Sequence, residues 1–510
     1  ISRNIQKKME FKKYNHLKEE KKISDFWIKK GCFKPKQNKK KDTFSIVIPP
    51  PNVTGRLHMG HALNNSLQDV LVRFNRMKGN ETLWQPGTDH AGIATQAVVE
   101  KNLEKKGIKK NDLGREKFIK KVWEWKKDSG GIILDQLKKL GCSCDWSRTR
   151  FTMDKDFSKS VTKVFVDLYN QNLIYKDKKL VNWDTGLQTA ISDLEVNQKE
   201  VQSQLYYIDY QLENSLGKIT IATTRPETMM GDTAVAVNPK DDRYKNLIGK
   251  NIKIPLVNRT IKIIADHYAD PEQGTGAVKI TPAHDFNDYN VGKRNKLKII
   301  NILEKDGKIN KNGIAECIGL DRFEARKLII KKLKESGQLV KIESIKNKVP
   351  YGDRSNTIIE PLLTEQWFVD AKFLSKKPIE IVNKGKTSFY PKSWTKVFFQ
   401  WMNEIEPWCI SRQIWWGHRI PAWYDQEGNI YVAENEKEAL NLAKKKNKKN
   451  KIKLRQETDV LDTWFSSALW PFVTLGWPLK TKELKNFYPT SILVTGFDII
   501  FFWVARMMMM

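Results

Sequence analysis

Two imidazoles stand three residues apart in His58-Met59-Gly60-His61, and a carboxylate follows further on in Gly87-Thr88-Asp89-His90. At a helix start the backbone N–H groups are unpaired and the partial positive charge is greatest, so histidines placed there can donate to phosphate oxygens. Gly60 carries no Cβ, which lets a flat base approach the backbone. The plain alternative is two surface histidines that only cap a helix.

The surrounding residues supply the elements that would position these groups. Residues 44–48 are an apolar, β-branched run stopped by Pro49-Pro50-Pro51, the pattern of a buried strand. After a loop at 52–55, Leu63, Leu67, Val70, Leu71 and Phe74 recur at helical spacing, and Lys78-Gly79-Asn80 ends that helix. Residues 82–84 read as a second strand. The result is a β-α-β unit with its polar residues at the carboxyl ends of the strands, where open α/β sheets bind ligands.

The combined string Pro49-Pro50-Pro51-Asn52-Val53-Thr54-Gly55, His58-Met59-Gly60-His61 and Gly87-Thr88-Asp89-His90-Ala91-Gly92 resembles the class I aminoacyl-tRNA synthetases. Within them it resembles the valine-specific branch more than the isoleucine or leucine branches. The resemblance implies an α/β fold: a Rossmann-like parallel-sheet catalytic domain with an inserted, mostly β editing domain. It implies ATP with Mg²⁺, valine and the valine tRNA as ligands. His58 and His61 would be catalytic. His58, Gly60, His61, Gly496 and Asp498 would bind ATP; Pro50, Pro51, Asn52, Asp89, Trp464 and Trp503 would bind valine.

Two further strings, Ala222-Thr223-Thr224-Arg225-Pro226-Glu227-Thr228-Met229-Met230-Gly231-Asp232 and Gly274-Thr275-Gly276-Ala277-Val278-Lys279-Ile280-Thr281-Pro282-Ala283-His284-Asp285-Phe286-Asn287-Asp288, resemble the editing site of this family. By that resemblance Arg225, Thr228, Lys279, Thr281, Asp285 and Asp288 line a hydrolytic pocket. Asp285 would hold the ammonium of a misattached amino acid, Arg225 and Lys279 would meet the RNA end, and Asp288 and Thr228 would reach the side-chain hydroxyl or place water.

Composition agrees with a large protein that meets a polyanion. The 510 residues imply two or three domains, and 90 Lys plus Arg against 59 acids give a net charge of +31. Part of that charge reflects Lys and Asn spread over the whole chain. Five cysteines form no disulfide framework and suit a reducing, cytoplasmic compartment; Cys142 and Cys144 lack zinc-site spacing, so no metal site and no zinc are expected. The apolar run at 492–510 is interrupted by Asp498 and Arg506, which argues for a buried strand and core helix and against a membrane span. A monomer is expected.

Read in order, residues 1–42 form an N-terminal extension in which Trp27 and Phe33 could pack onto the body and residues 39–41 lead into the first strand. Residues 43–192 form the first half of the catalytic domain, with a helix ending at Gly130-Gly131. Residues 193–345 form the inserted domain, where short strands alternate with Gly, Asn and Pro turns. Residues 346–510 return to the catalytic domain, through a tryptophan-rich stretch and the basic run 444–451. There 493–498 reads as a strand ending at Gly496 and Asp498, which would face a ribose. The family's second signature, Lys-Met-Ser-Lys-Ser, does not occur, so the chain reads as an N-terminal fragment. The rival readings are an isoleucine-specific ligase and a stand-alone editing or tRNA-binding protein.

Overall fold

The structure is a computed structural model that describes residues 14–36, 42–213, 217–447 and 452–510. Residues 39–41 and the 448–451 part of the basic run lie outside these. The chain divides into two compact units. The first comprises Ile1–Ile174, Val369–Trp408 and Ile414–Met510; the second comprises Tyr175–Phe368 and Cys409–Gln413.

In the first unit, helix α1 (His16–Lys29) precedes strand β1 (Thr43–Val47), helix α2 (Met59–Met77) and strand β2 (Glu81–Gln85). Strands β1 and β2 pair in parallel from Thr43↔Glu81 to Val47↔Gln85, with α2 as the crossover. Helices α3 (Gly92–Glu104), α4 (Lys110–Lys139) and α5 (Lys155–Asn170) follow. Ile46, Ile48 and Trp84 pack with Val72 of α2 and with Ile133 and Leu137 of α4. Strands covered on both faces need a continuous apolar run, which is what 44–48 supplies. Trp27 and Phe33 meet edge to face at 5.7 Å, and the Arg73 guanidinium of α2 lies over both rings.

Helix α2 does not seat on the apolar stripe that marks it in the sequence. Leu63, Leu67, Val70 and Phe74 are at least half exposed, whereas Asn65, Gln68 and Val72 are buried. Gln68 is tolerated inside because its Oε1 accepts from the Trp84 indole N–H at 3.0 Å.

Two other sequence expectations are corrected. Helix α4 runs through Gly130-Gly131, where Gly130 lies against Val53, and bends at Gly114, whose φ is 72°. Residues 493–498 are not a strand. Ser491 N donates to Ser45 O at 2.9 Å, but Ser45 N is taken by the Ser491 hydroxyl, so no ladder propagates from β1. Phe497–Ile499 forms a 3₁₀ turn, Ile500–Ala505 a π-helical turn and Arg506–Met509 an α-helical one. Of the tryptophans in the 394–423 stretch, Trp408, Trp416 and Trp423 are core residues.

The second unit is organised by one sheet. Its strands are β3 (Val196–Leu212), β4 (Lys218–Thr223), β5 (Ala234–Val237), β6 (Asn251–Lys253), β7 (Thr260–Ala265), β8 (Ala277–Ile280) and β9 (Leu339–Gly352). The order is β8-β5-β7-β6-β3-β9, with β4 also paired to β3; β5 and β7 are parallel and the other pairs antiparallel. Strand β8 comes back beside β4, so the sheet nearly closes on itself. Its interior holds Ile208, Tyr210, Ile221, Val235, Val237 and Ile263, sealed by Ile329 and Leu333 of helix α7 (Arg322–Glu335). Helix α6 (Phe286–Arg294) follows β8 directly.

Because Val72, with Leu71 partly buried beside it, seats α2 and the rest of the stripe does not, Val72→Ala should destabilise the chain by roughly 1–3 kcal/mol. Leu67→Gln should change stability by less than about 0.5 kcal/mol. Urea denaturation of the two variants reads the difference.

Candidate functional site

Strands β1 and β2 extend their pairing into the loops beyond them. Asp89 N donates to Pro51 O at 2.9 Å and Val53 N donates to Asp89 O at 3.1 Å, with Asn52 and Asp89 opposite each other. The main chain thus sets Pro50, Pro51 and Asn52 beside Asp89. Ala91 in the left-handed region, φ 47°, turns the chain back so that its N–H reaches Asp89 Oδ1 at 2.8 Å. The other carboxylate oxygen accepts from the Ser467 hydroxyl, and the Ser467 carbonyl accepts from Trp503 Nε1 at 3.0 Å. Gly92 N donates to Thr463 Oγ1 at 2.8 Å, fixing the turn Thr463–Ser467 to the same loop. Trp464 stacks on Phe502 with centroids 5.3 Å apart. Asp89, Trp503 and, next to Thr463, Trp464 are therefore gathered from distant parts of the sequence.

Burial pushes the Asp89 carboxyl up to about 6, against the hydrogen bonds from Ser467 and Ala91 that favour its charge. His90 and His418 meet edge to face at 5.2 Å and are held neutral, their values lowered to about 3 by burial. With both imidazoles neutral, the charged neighbour of Asp89 is Asp462, itself paired with Arg506 at 3.3 Å.

Helix α4 positions the start of α2: Trp125 Nε1 donates to Val53 O at 2.8 Å, and Leu57 N donates to Gln136 Oε1 at 3.0 Å. His58 caps α2, its Nδ1 accepting from Gly60 N at 3.1 Å, while His61 Nδ1 accepts from His58 N at 3.3 Å. The rings lie 4.0 Å apart. An Nδ1 that accepts carries no proton, so each neutral ring keeps its proton on Nε2, free to donate. Burial, and then the neighbouring His58, lower the His61 pKa and favour that neutral form. A Cβ on Gly60 would press on the His58 ring at 3.0 Å, so this glycine first of all makes room for the cap. Asn64 Nδ2 donates to Val494 O at 3.0 Å, which brings the 494–498 segment to the first turns of α2. A Cβ on Gly496 would collide with Asp498 Oδ1.

In the second unit the six residues expected to line a pocket are joined by hydrogen bonds. Lys279 Nζ donates to Thr228 Oγ1 at 2.8 Å, to Asp232 Oδ1 at 3.1 Å and to Thr281 Oγ1. All three ammonium protons are directed at protein oxygens. Thr281 N donates to Asp288 Oδ2 at 2.8 Å, and Asp285 caps α6 by accepting from Asn287 N and Asp288 N at 2.8 and 3.0 Å. Arg225 O accepts from Thr228 Oγ1 at 2.9 Å; its guanidinium donates to His284 O and to Glu360. Although burial works against its charge, Glu360 and Glu227 hold Arg225 above its ordinary value. Arg326 grips Glu227 with two bonds of 2.7 Å, and Arg322 grips Glu360 at 2.7 Å. Burial, and then the neighbouring Asp285, push the Asp288 carboxyl up to about 7.

Sequence reasoning did not single out Ser467, Thr463, Asp232 or Glu360. Asp232 ends the string quoted for the pocket, and Tyr210 donates to its other oxygen at 2.7 Å. Glu360 carries no local signal; its link to Arg225 spans 135 positions. Among the described residues no group of three or more His, Cys, Asp or Glu could hold a metal, and no helix is long and apolar enough to cross a membrane.

Residues 22–510 match the family described as "tRNA synthetases class I (I, L, M and V)". The chain belongs to this family. It is 68% identical over 497 residues to a valine–tRNA ligase of Pelagibacter ubique, covering 98% of this chain and 56% of that protein. A valine–tRNA ligase of Caulobacter vibrioides is 58% identical over 505 residues, covering 95% and 56%. One from Rhodopseudomonas palustris is 54% identical over 543 residues, covering 98% and 57%. The chain thus spans a little over half the length of the curated relatives it matches. Membership of a class I synthetase family agrees with the α/β architecture, its parallel β-α-β unit and its nearly closed second sheet.

The raised pKa of Asp288 has a sign. A carboxyl whose folded value lies above its unfolded one stabilises fully below about pH 4, and that stability is lost as pH rises through about 7. Asp288→Asn should flatten the decline in melting temperature between about pH 4 and 7. Scanning calorimetry of both proteins across that range checks it, and parallel curves would place the titration elsewhere.

Proposed function

We propose that this chain carries the activation and editing sites of a valine–tRNA ligase. The observation that supports it most is the Asp89 carboxylate, held on both oxygens beside Pro51 at the carboxyl end of the parallel pair. Asp89 binds the valine ammonium. Pro50, Pro51, Asn52, Trp464 and Trp503 enclose the side chain and exclude larger ones. The valine carboxylate then attacks the α-phosphate of ATP in line and pyrophosphate leaves. No covalent enzyme intermediate is needed, so the residues act by positioning and charge stabilisation. The outward Nε2–H groups of His58 and His61 donate to the phosphates, while Gly60, Gly496 and Asp498 receive the nucleoside. Mg²⁺ brought in with ATP would add charge neutralisation at the phosphates. The valyl group passes to the 3′ end of the valine tRNA.

The domain layout proposed is an N-terminal extension over 1–42, a catalytic domain over 43–192 and 346–510, and an editing domain over 193–345, working as a monomer in the cytoplasm. The free cysteines suit that compartment. A second site has a physical reason. An apolar pocket rejects an added hydroxyl by only ~10², a figure known from valine enzymes of this kind and not obtained from this chain. Threonine therefore leaks through. The polar cluster of Arg225, Thr228, Lys279, Thr281, Asp285 and Asp288 recognises the hydroxyl that valine lacks and hydrolyses the misattached ester.

The test uses the chain itself on pre-charged valine tRNA. It should release threonine and spare valine. Asp285→Asn keeps the cap acceptor of α6 but removes the charge. It should slow threonine release about ten- to hundredfold with an unchanged melting temperature. Release of valine as fast as threonine overturns the hydroxyl-sensing account, and a fully active Asp285→Asn variant removes Asp285 as the anchor.

A further inference from the structure

We propose that Ser467 is the positioning residue of the amino-acid site, its hydroxyl orienting the Asp89 carboxylate and its carbonyl orienting the Trp503 indole. The inference rests on the reading that Asp89 takes the substrate ammonium, and deepens it. Ser467 is 1% exposed, in the turn Thr463–Ser467, and its bond to Asp89 joins residues 378 positions apart. Through its own carbonyl it receives Trp503 Nε1 at 3.0 Å. One residue therefore fixes the charged end of the cavity and one of its walls with the same few atoms.

The hydroxyl has one proton and two acceptors within reach. One is Asp89 Oδ2; the other is Thr463 O, 3.0 Å away in its own turn. An ionised carboxylate is the stronger acceptor, so the proton goes to Asp89 while that group is charged. When Asp89 is protonated, the acid proton can be donated to Ser467 Oγ and the hydroxyl turns back to Thr463 O. The contact thus favours the charged form of Asp89 and fixes the direction of its lone pairs. Asp89 Oδ1 is already committed to Ala91 N, so without Ser467 the second oxygen loses its donor. The titratable groups facing this carboxylate are His90, whose Nδ1 is 3.3 Å from Oδ1, and Asp462; the Thr152 hydroxyl hydrogen-bonds Asp89 as well and lies 2.8 Å from the same His90 Nδ1.

Ser467→Ala removes the hydroxyl and leaves the carbonyl on Trp503. The measurement is calorimetric binding of valine and of ATP to the chain between pH 5 and 8, for the parent, Ser467→Ala, Ser467→Cys and Asp89→Asn. The parent's valine affinity should rise with pH through about 6, as Asp89 ionises. In Ser467→Ala valine affinity should fall about ten- to hundredfold at neutral pH, the loss of one hydrogen bond to a charged group. The acid limb should move to higher pH, and ATP affinity should hold within about twofold. Ser467→Cys has similar volume with a weaker donor and should shift the limb the same way, which keeps the test open if the alanine variant does not fold. If Asp89→Asn abolishes valine binding while both Ser467 variants keep the parental affinity and limb, the positioning role is overturned and the Asp89 reading stands. If Asp89→Asn binds valine as the parent does, the Asp89 reading falls and the inference with it. Equal losses for valine and ATP would mark general damage and also overturn it. Should the parent not bind valine, carbon-13 NMR of the Asp89 carboxyl, assigned with Asp89→Asn, still decides the contact: a higher midpoint in Ser467→Ala supports it and an unmoved one removes it.

Discussion

The resumption of β1–β2 pairing past the ends of the strands, shifted by one residue from Val47↔Gln85 to Asn52↔Asp89, is the constraint on which the first unit depends. Two backbone bonds, Asp89 N to Pro51 O and Val53 N to Asp89 O, hold two loops in strand-like alignment where side chains no longer pack as a sheet. The three prolines explain why the ladder breaks before it resumes, since they offer no N–H to it. A carboxylate placed on that last rung is buried, and burial alone would neutralise it. Its hydrogen bonds from Ala91 and Ser467 oppose this and keep it chargeable near neutral pH.

The second unit solves a related problem differently. Lys279 and Asp232 are both buried, and isolated charges there would be very costly. They are paired with each other and surrounded by Thr228, Thr281 and Tyr210, which satisfy their remaining protons and lone pairs. Arg225 is treated likewise by Glu360, Glu227 and the arginines behind them. Removing any one member of the cluster leaves another uncompensated. Asp288, with a backbone N–H on one oxygen and Asp285 as a like-charged neighbour, is the group left poised near neutrality.

Much of this was legible in the chain. The strand at 44–48 and the helix opened by His58 are local patterns, and the structure places them as read; the two pocket strings are local patterns as well, and their residues are joined by hydrogen bonds. What was not legible follows from contacts that leave no local trace. Gln68 reads as solvent-facing until Trp84 supplies its partner, and the exposed leucines of α2 obey helical spacing whichever face is covered. Gly130-Gly131 reads as a break, yet it marks where Val53 comes close. Residues 493–498 have the composition of a strand, but a serine hydroxyl takes the backbone donor that would have begun its ladder. Ser467 and Asp89 belong together only in three dimensions.

The exposed stripe of α2 sets the colloidal behaviour of the molecule. Met59, Leu63, Leu67, Val70, Phe74 and Met77 present apolar surface along one helix, a sticky face on a body of net charge +31. In dilute buffer the like charges of two copies keep such faces apart. At 0.1 M salt the screening length is about 10 Å, and repulsion no longer reaches across the gap while apolar attraction is undiminished. Added salt therefore lowers the charge barrier between two copies and leaves the apolar stripe as the surface on which they would first stick.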